Sequence, residues 1–101
     1  PTLAELQTLS TTVNYDGNAL KAVGQGTGGG AGTNTSGFTA VFAGNRYFDG
    51  GFYNIGEYTY FWSSTESSTN GTTLWLTNFD GSTYFQYWRK DIGFCIRCIK
   101  N

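Results

Sequence analysis

The chain has 101 residues, a net charge of −1 and only 13% charged residues, so it carries no basic field to draw nucleic acid or acidic lipid as a primary partner. That length predicts one domain with one modest core, and no apolar run approaches the ~18 residues that a membrane-spanning helix requires. Phe, Trp and Tyr make up 18% of the chain, more than a core of this size encloses, which predicts aromatic rings at the surface.

Thr2 and Glu5 form a capping-box pattern, followed by Leu3, Leu6 and Leu9 on one side, and together they predict a helix of about three turns. Leu20 and Val23 suggest a short buried segment bracketed by Gly17 and Gly24. Residues 24–37 are dominated by glycine and lack any large side chain until Phe38, which predicts a flexible surface loop rather than a regular element. A phosphate cradle is excluded, because the loop has no Lys-Ser/Thr pair and no helix start behind it.

The second half predicts strands and tight turns, so the chain as a whole belongs to the α+β class. Residues 72–79, then Asp80-Gly81, then residues 82–89 give a strong hairpin signal, since Asp-Gly tolerates the positive φ of a two-residue primed turn. With such a turn Phe79 faces Ser82, and Leu76 pairs with Phe85 and Leu74 with Tyr87 on one face. Trp75 then pairs with Gln86, Thr77 with Tyr84 and Thr73 with Trp88 on the other. Residues 93–100 read as a last strand with Phe94 and Ile96 turned inward. Phe38, Phe61, Leu74, Leu76, Phe94 and Ile96 are the expected core.

The chemistry-bearing residues are few. With no histidine, acid–base work would fall to Asp49, Glu57, Glu66, Asp80 or Asp91. Asp49 and Asp80 each precede glycine in expected turns, where aspartate bonds its own backbone, and Glu66 is expected as a buried polar clamp. Cys95 and Cys98 resemble a redox or zinc motif, yet no further thiolate or imidazole exists to complete a zinc site. On a continuous strand the two side chains point to opposite faces, roughly 10 Å apart, too far to bond each other. No enzymatic activity, cofactor or metal is therefore expected. Trp75, Tyr84 and Trp88, on the polar-aromatic face of the hairpin, are the candidate ligand-binding residues, because exposed rings flanked by Asn, Ser and Thr suit sugar and protein recognition.

Four stretches together carry a family resemblance. They are Asn34-Thr35-Ser36-Gly37-Phe38-Thr39-Ala40, Asp49-Gly50-Gly51-Phe52-Tyr53-Asn54-Ile55-Gly56, Ser63-Ser64-Thr65-Glu66, and Gly93-Phe94-Cys95-Ile96-Arg97-Cys98. The chain resembles the Fibrobacter succinogenes major paralogous (FISUMP) domain, found in secreted and surface bacterial proteins, as a single domain over 1–101. The resemblance implies a C-type-lectin-like fold, a twisted and mainly antiparallel sheet with one or two helices and long irregular loops, and an extracellular or cell-surface location. It supplies no reaction. Cys98 matches the cysteine that ends the family's last motif, which implies a disulfide to a partner outside these residues. In the family the stretch matching Pro1 to Glu5 is normally preceded by a short strand, and the lack of any Met predicts a processed or trimmed chain without that strand. Cys95 stands where serine is usual, and Val41-Phe42-Ala43-Gly44 departs from Leu-Pro-Gly-Gly. The cysteine arrangement of the related formylglycine-generating oxidases is not reproduced. The expected function is a recognition module for a glycan or an extracellular protein. The alternative is a structural subunit that assembles with copies of itself into an oligomer or filament, a neighbour's strand completing an open sheet edge.

Overall fold

The capping box forms as its residue types require. In the computed structural model, which describes residues 1–100, Thr2 Oγ1 accepts from the Glu5 amide at 3.1 Å and Glu5 Oε2 accepts from the Thr2 amide at 2.8 Å. They start helix α1, Leu3–Thr12, which buries Leu6 and Ser10. Two single turns of 3₁₀-helix follow, Gly17–Leu20 and Gly28–Gly30. Five strands complete the chain: β1 (Asn45–Arg46), β2 (Phe52–Tyr53), β3 (Tyr58–Ser67), β4 (Asn70–Thr77) and β5 (Tyr84–Arg89). β3, β4 and β5 form one antiparallel sheet in that order, and β1 and β2 form a separate antiparallel ribbon. The domain is therefore α+β, one α-helix with antiparallel sheets. Among the described residues no helix is long and apolar enough to cross a membrane.

Strand alternation assigns the two faces of the sheet. Phe61, Leu74 and Leu76 lie on the face turned to α1 and close a core with Leu6, Leu20, Ala40 and Phe42. Leu9, Val13, Phe38, Phe85 and Cys95 pack against it, Phe38 meeting the edge of Phe61 at 5.3 Å. Two expected core residues lie elsewhere. Ile96 is 73% exposed, and Phe94, half-buried, stacks on Tyr60 instead of entering the core. The cause is the course of the last segment. In place of a strand over residues 93–100 it makes isolated bridges only, Arg46 with Gly93 and Phe61 with Cys95. The Cys95 amide donates to the Tyr60 carbonyl and its carbonyl accepts from the Trp62 amide, both at 3.0 Å. Cys95 thus takes the core side beside Phe61, and Phe94 takes the other.

The β4–β5 hairpin forms with its faces as expected and its register displaced by two. Leu74 pairs with Phe85, Trp75 with Tyr84, Thr73 with Gln86 and Gly71 with Trp88. A shift of two keeps each side chain on its own face. The two-residue turn is replaced by a longer connection, in which Asp80 Oδ1 accepts from the Ser82 amide at 3.0 Å and Asp80 bonds the Tyr84 hydroxyl.

That connection is held by the segment expected to be a flexible loop. A Cβ on Gly30 would stand 2.3 Å from the Asn78 carbonyl oxygen, so the glycine permits direct backbone contact. The Thr27 amide donates to the Asn78 carbonyl and the Gly17 amide to the Gly81 carbonyl. Lys21 ties both segments together. Its side chain is fully buried, and Nζ donates to Asn18 Oδ1 (2.8 Å), the Gly30 carbonyl (2.9 Å) and the Asp80 carbonyl (2.7 Å). Burial pushes its pKa below the ordinary lysine value, opposed by the charges of Asp80 and Asp16. Val23 is exposed, while Leu20 carries the burial in this region.

The Ser63–Glu66 stretch ties the helix to the sheet, though through different residues than expected. The β3–β4 register shifts between Trp62 and Glu66, and there Thr65 Oγ1 accepts from the Leu3 amide (2.9 Å) while the Ser64 amide donates to the Pro1 carbonyl (2.7 Å). Glu66 is exposed, pairs with Lys90 at 2.8 Å, and its carboxyl is held low by that bond. Its strand position at the end of the sheet turns it to solvent.

Candidate ligand-binding site

The face of the sheet away from α1 is paved with rings. Tyr58, Tyr60 and Trp62 alternate along β3 with the core-facing Thr59 and Phe61, so all three share this face. Tyr60, Trp75 and Tyr84 form a row across the three strands. Trp75 stacks on Tyr84 at 4.3 Å and 20°, and Tyr60 on Trp75 at 5.9 Å and 27°. Phe94 lies over Tyr60 at 4.4 Å and 17°, with Trp88 edge-on to both rings at 5.7 and 5.8 Å. Gly71 makes room for this arrangement. A Cβ there would stand 2.5 Å from Trp62 Cζ3, and Trp62 in turn leans on Phe94 at 4.8 Å.

The β1–β2 ribbon stands beside this floor. The Arg46 amide donates to the Gly93 carbonyl (3.0 Å) and the Gly93 amide to the Arg46 carbonyl (2.7 Å), while the Gly44 amide donates to the Tyr58 carbonyl (2.9 Å). Ribbon, residues 93–95 and β3 are thereby fixed side by side. Between them opens a cleft of about 360 Å³, its floor made by Tyr60, Trp88, Ile92 and Phe94 and its wall by Asn45, Tyr47, Asp49, Tyr53 and Asn54.

The wall is polar and ordered. Asp49 Oδ1 accepts from the Gly51 amide at 2.8 Å and Oδ2 from the Tyr53 hydroxyl at 2.9 Å. The Gly51 amide first, and the Tyr53 hydroxyl second, hold the Asp49 carboxyl below the ordinary aspartate value, and the same carboxylate raises the Tyr53 phenol. Asn54 Nδ2 donates to Asn45 Oδ1 at 2.9 Å. Asn54 has φ +64°, the left-handed region that asparagine tolerates better than most residues. Burial raises the Tyr60 phenol.

Trp75, Tyr84 and Trp88, the candidates read from sequence, are all half-buried and share the aromatic face. Trp88 lines the cleft, whereas Trp75 and Tyr84 stack beside it and support Tyr60. The indole Nε1 atoms of Trp75 and Trp88 are buried without a hydrogen-bond partner. Sequence reasoning missed Asn45, Tyr47, Tyr53, Asn54 and Tyr60. The signals were present in the Tyr58-Tyr60-Trp62 alternation and in the Asp49–Gly56 motif, whose Asp49, Tyr53 and Asn54 converge on the cleft wall.

Other chemistry does not gather here. Among the described residues no group of three or more His, Cys, Asp or Glu side chains is placed to hold a metal ion. Among the described residues Cys95 and Cys98 form no disulfide, and Cys98 is exposed in a groove with Pro1, Leu6, Leu9 and Phe38.

Among the described residues, one α-helix packed on one face of an antiparallel sheet, with a ribbon-walled aromatic cleft on the other, defines a small α+β domain. The model of the Fibrobacter succinogenes major domain matches residues 1–100, and the chain belongs to that bacterial family. No curated protein and no solved structure matches it.

Proposed function

We propose that this domain is a recognition module that binds glycan in the aromatic cleft, on a C-type-lectin-like scaffold displayed outside the cell or at its surface. The observation that carries this reading is the make-up of the cleft, in which five rings, Tyr47, Tyr53, Tyr60, Trp88 and Phe94, meet Asn45, Asp49 and Asn54 around about 360 Å³. A sugar ring has flat C–H faces and a rim of hydroxyls. Stacked rings meet the first and carboxamides the second. The volume suits a small ligand, whereas stable protein interfaces bury about 800 Å² on each partner. The reading is binding without turnover. Asp49 is the one carboxylate of the cleft lining among the described residues, and both its oxygens are already bonded, so no second carboxyl is paired with it as glycoside hydrolysis requires.

A glycan array followed by titration on intrinsic tryptophan fluorescence tests this. Trp88→Ala is expected to weaken binding about tenfold or more while leaving the fold in place, as for an anchor ring at the centre of a binding surface. Absence of any glycan ligand, or unchanged affinity in Trp88→Ala, would reject it. A second reading, a structural subunit that assembles with copies of itself, draws on Phe52 and Ile55, exposed at 80% and 82% on and beside the ribbon. Sedimentation velocity separates the two, since the module is expected to stay monomeric and the subunit to associate.

A further inference from the structure

We infer that the cleft selects a neutral saccharide with two adjacent hydroxyls, with Asn45 and Asn54 reading the hydroxyls and Asp49 turning acidic sugars away. The inference rests on the glycan reading above and narrows it to a ligand class.

The carboxamide pair supplies the first half of the argument. The bond from Asn54 Nδ2 to Asn45 Oδ1 uses one donor of one amide and one acceptor of the other. Among the described residues neither carboxamide makes another side-chain hydrogen bond, so the bonded pair keeps the Asn45 amino group and the Asn54 carbonyl oxygen open at the cleft wall. Exchanging oxygen and nitrogen on both residues leaves the same complement, one free amino group beside one free carbonyl. Each sugar hydroxyl both donates and accepts. Two adjacent hydroxyls therefore satisfy a neighbouring donor and acceptor together, which a lone polar group does not.

The pair is also held in place. The Asn54 backbone carbonyl accepts from the Glu57 and Tyr58 amides, both at 3.0 Å, and fixes the residue in its left-handed conformation. Asn45 is pinned by the β1–β2 pairing, opposite Tyr53. A preorganised pair loses little freedom when a ligand arrives.

Charge supplies the second half. Asp49 is the one ionisable acid or base with a full charge at neutral pH in the lining among the described residues, and its bonds to Gly51 and Tyr53 favour the ionised form. No lysine or arginine lines the cleft there to receive a ligand carboxylate; Arg46, whose guanidinium lies near Gly50 and whose charge also favours ionised Asp49, sits outside the lining. A uronic acid would bring like charge against Asp49 within a partly enclosed space, which costs affinity.

The folded domain is titrated calorimetrically with gluco-, manno- and xylo-oligosaccharides and, in parallel, with oligogalacturonides. Wild type is expected to bind at least one neutral probe about tenfold more tightly than the acidic one, and Asp49→Asn to narrow that gap to about threefold. Asn54→Gly keeps the backbone conformation while removing the carboxamide, and is expected to weaken neutral binding about tenfold. Asn45→Ala is expected to do the same from the other side of the pair. Equal or tighter binding of oligogalacturonides by wild type overturns the inference and leaves the glycan reading standing. Unchanged neutral affinity in both Asn54→Gly and Asn45→Ala overturns it too. No binding of either class rejects the glycan reading and the inference with it.

Discussion

The two faces of the β3–β5 sheet are built from the same strands and do opposite things. One places Phe61, Leu74 and Leu76 against α1, while the other carries Tyr60, Trp75, Tyr84 and Trp88, of which Tyr60 and Trp88 floor a cleft walled by the ribbon. Aliphatic side chains interdigitate and fill space, so packing closes the first face, with hydrogen bonds such as that from the Leu3 amide to Thr65 Oγ1 tying the helix down beside it. Flat rings stack on each other instead, and a stack ends in an uncovered face unless another ring completes it. The contrast places the packed core on one side of the sheet and the candidate cleft on the other.

The sharpest way to break that contrast is through the buried charge of Lys21 on the closed side. Lys21 lies 5.7 Å from the Phe42 ring centroid with its ammonium bonded to three oxygens. Lys21→Met leaves two backbone carbonyls and Asn18 Oδ1 without their donor, and a loss of about 4 kcal/mol is expected in chemical denaturation. The pH dependence has a definite sign. Because the folded-state pKa lies below the ordinary value, the unfolded chain binds more protons between the two, and wild type gains stability relative to Lys21→Met as pH rises through that interval toward about 10.4. A difference that is flat or falls with pH would show that the ammonium is not desolvated as described.

Leu74→Ala and Trp75→Ala test the contrast most directly, since the two residues are neighbours on β4 that face opposite ways. Leu74 is fully buried, and its truncation is expected to cost about 3 kcal/mol through lost burial and an unfilled cavity. Trp75 is half-buried and is expected to cost less than about 2 kcal/mol while weakening ligand binding through the Tyr60 stack. If the two variants lose equal stability, the aromatic face is as much a core as the aliphatic one.

Gly71→Ala probes how far the rings on the open side are fixed. The added methyl would meet Trp62 Cζ3 at 2.5 Å, so the indole must swing away from Phe94. A loss of about 2 kcal/mol and a changed near-ultraviolet circular dichroism signal are expected. An unchanged spectrum would mean that Trp62 is not held by this contact.

Much of this was legible in the residues. The capping box at Thr2 and Glu5, and the parity that puts Leu74 and Trp75 on opposite faces, are local properties, and both formed as expected. The cleft was not legible, because its wall and floor come from segments that meet only after folding, Asn45 and Tyr53 from the ribbon and Phe94 from the last segment. Phe94 and Ile96 were misplaced for the same reason. Their alternation predicts a strand that does not form, and the isolated bridge between Cys95 and Phe61, a contact between distant residues, turns Cys95 rather than Phe94 to the core. The glycine-rich segment misled differently. Glycine marks flexibility and close backbone approach alike, and here Lys21 and the Asn78 carbonyl decided for the second.

The smallest expected effect concerns the cleft wall. Tyr53→Phe removes the hydroxyl that donates to Asp49 Oδ2 but keeps the ring, so the floor and its stacking should remain. The Asp49 carboxyl is then expected to titrate closer to the ordinary value of about 3.9, yet still below it, because the Gly51 amide is the larger cause of the shift and is untouched. The sign for stability follows. In wild type the contribution is present above the ordinary aspartate value and is lost as pH falls through the depressed one, while the raised Tyr53 phenol keeps its share until pH climbs past its own ordinary value. The ribbon contact is thus intact across the neutral range and weakens at both extremes. Following the Gly51 amide by NMR through an acid titration reads the carboxyl directly. An Asp49 titration unchanged by Tyr53→Phe would remove the hydroxyl from the account of how this wall is ordered.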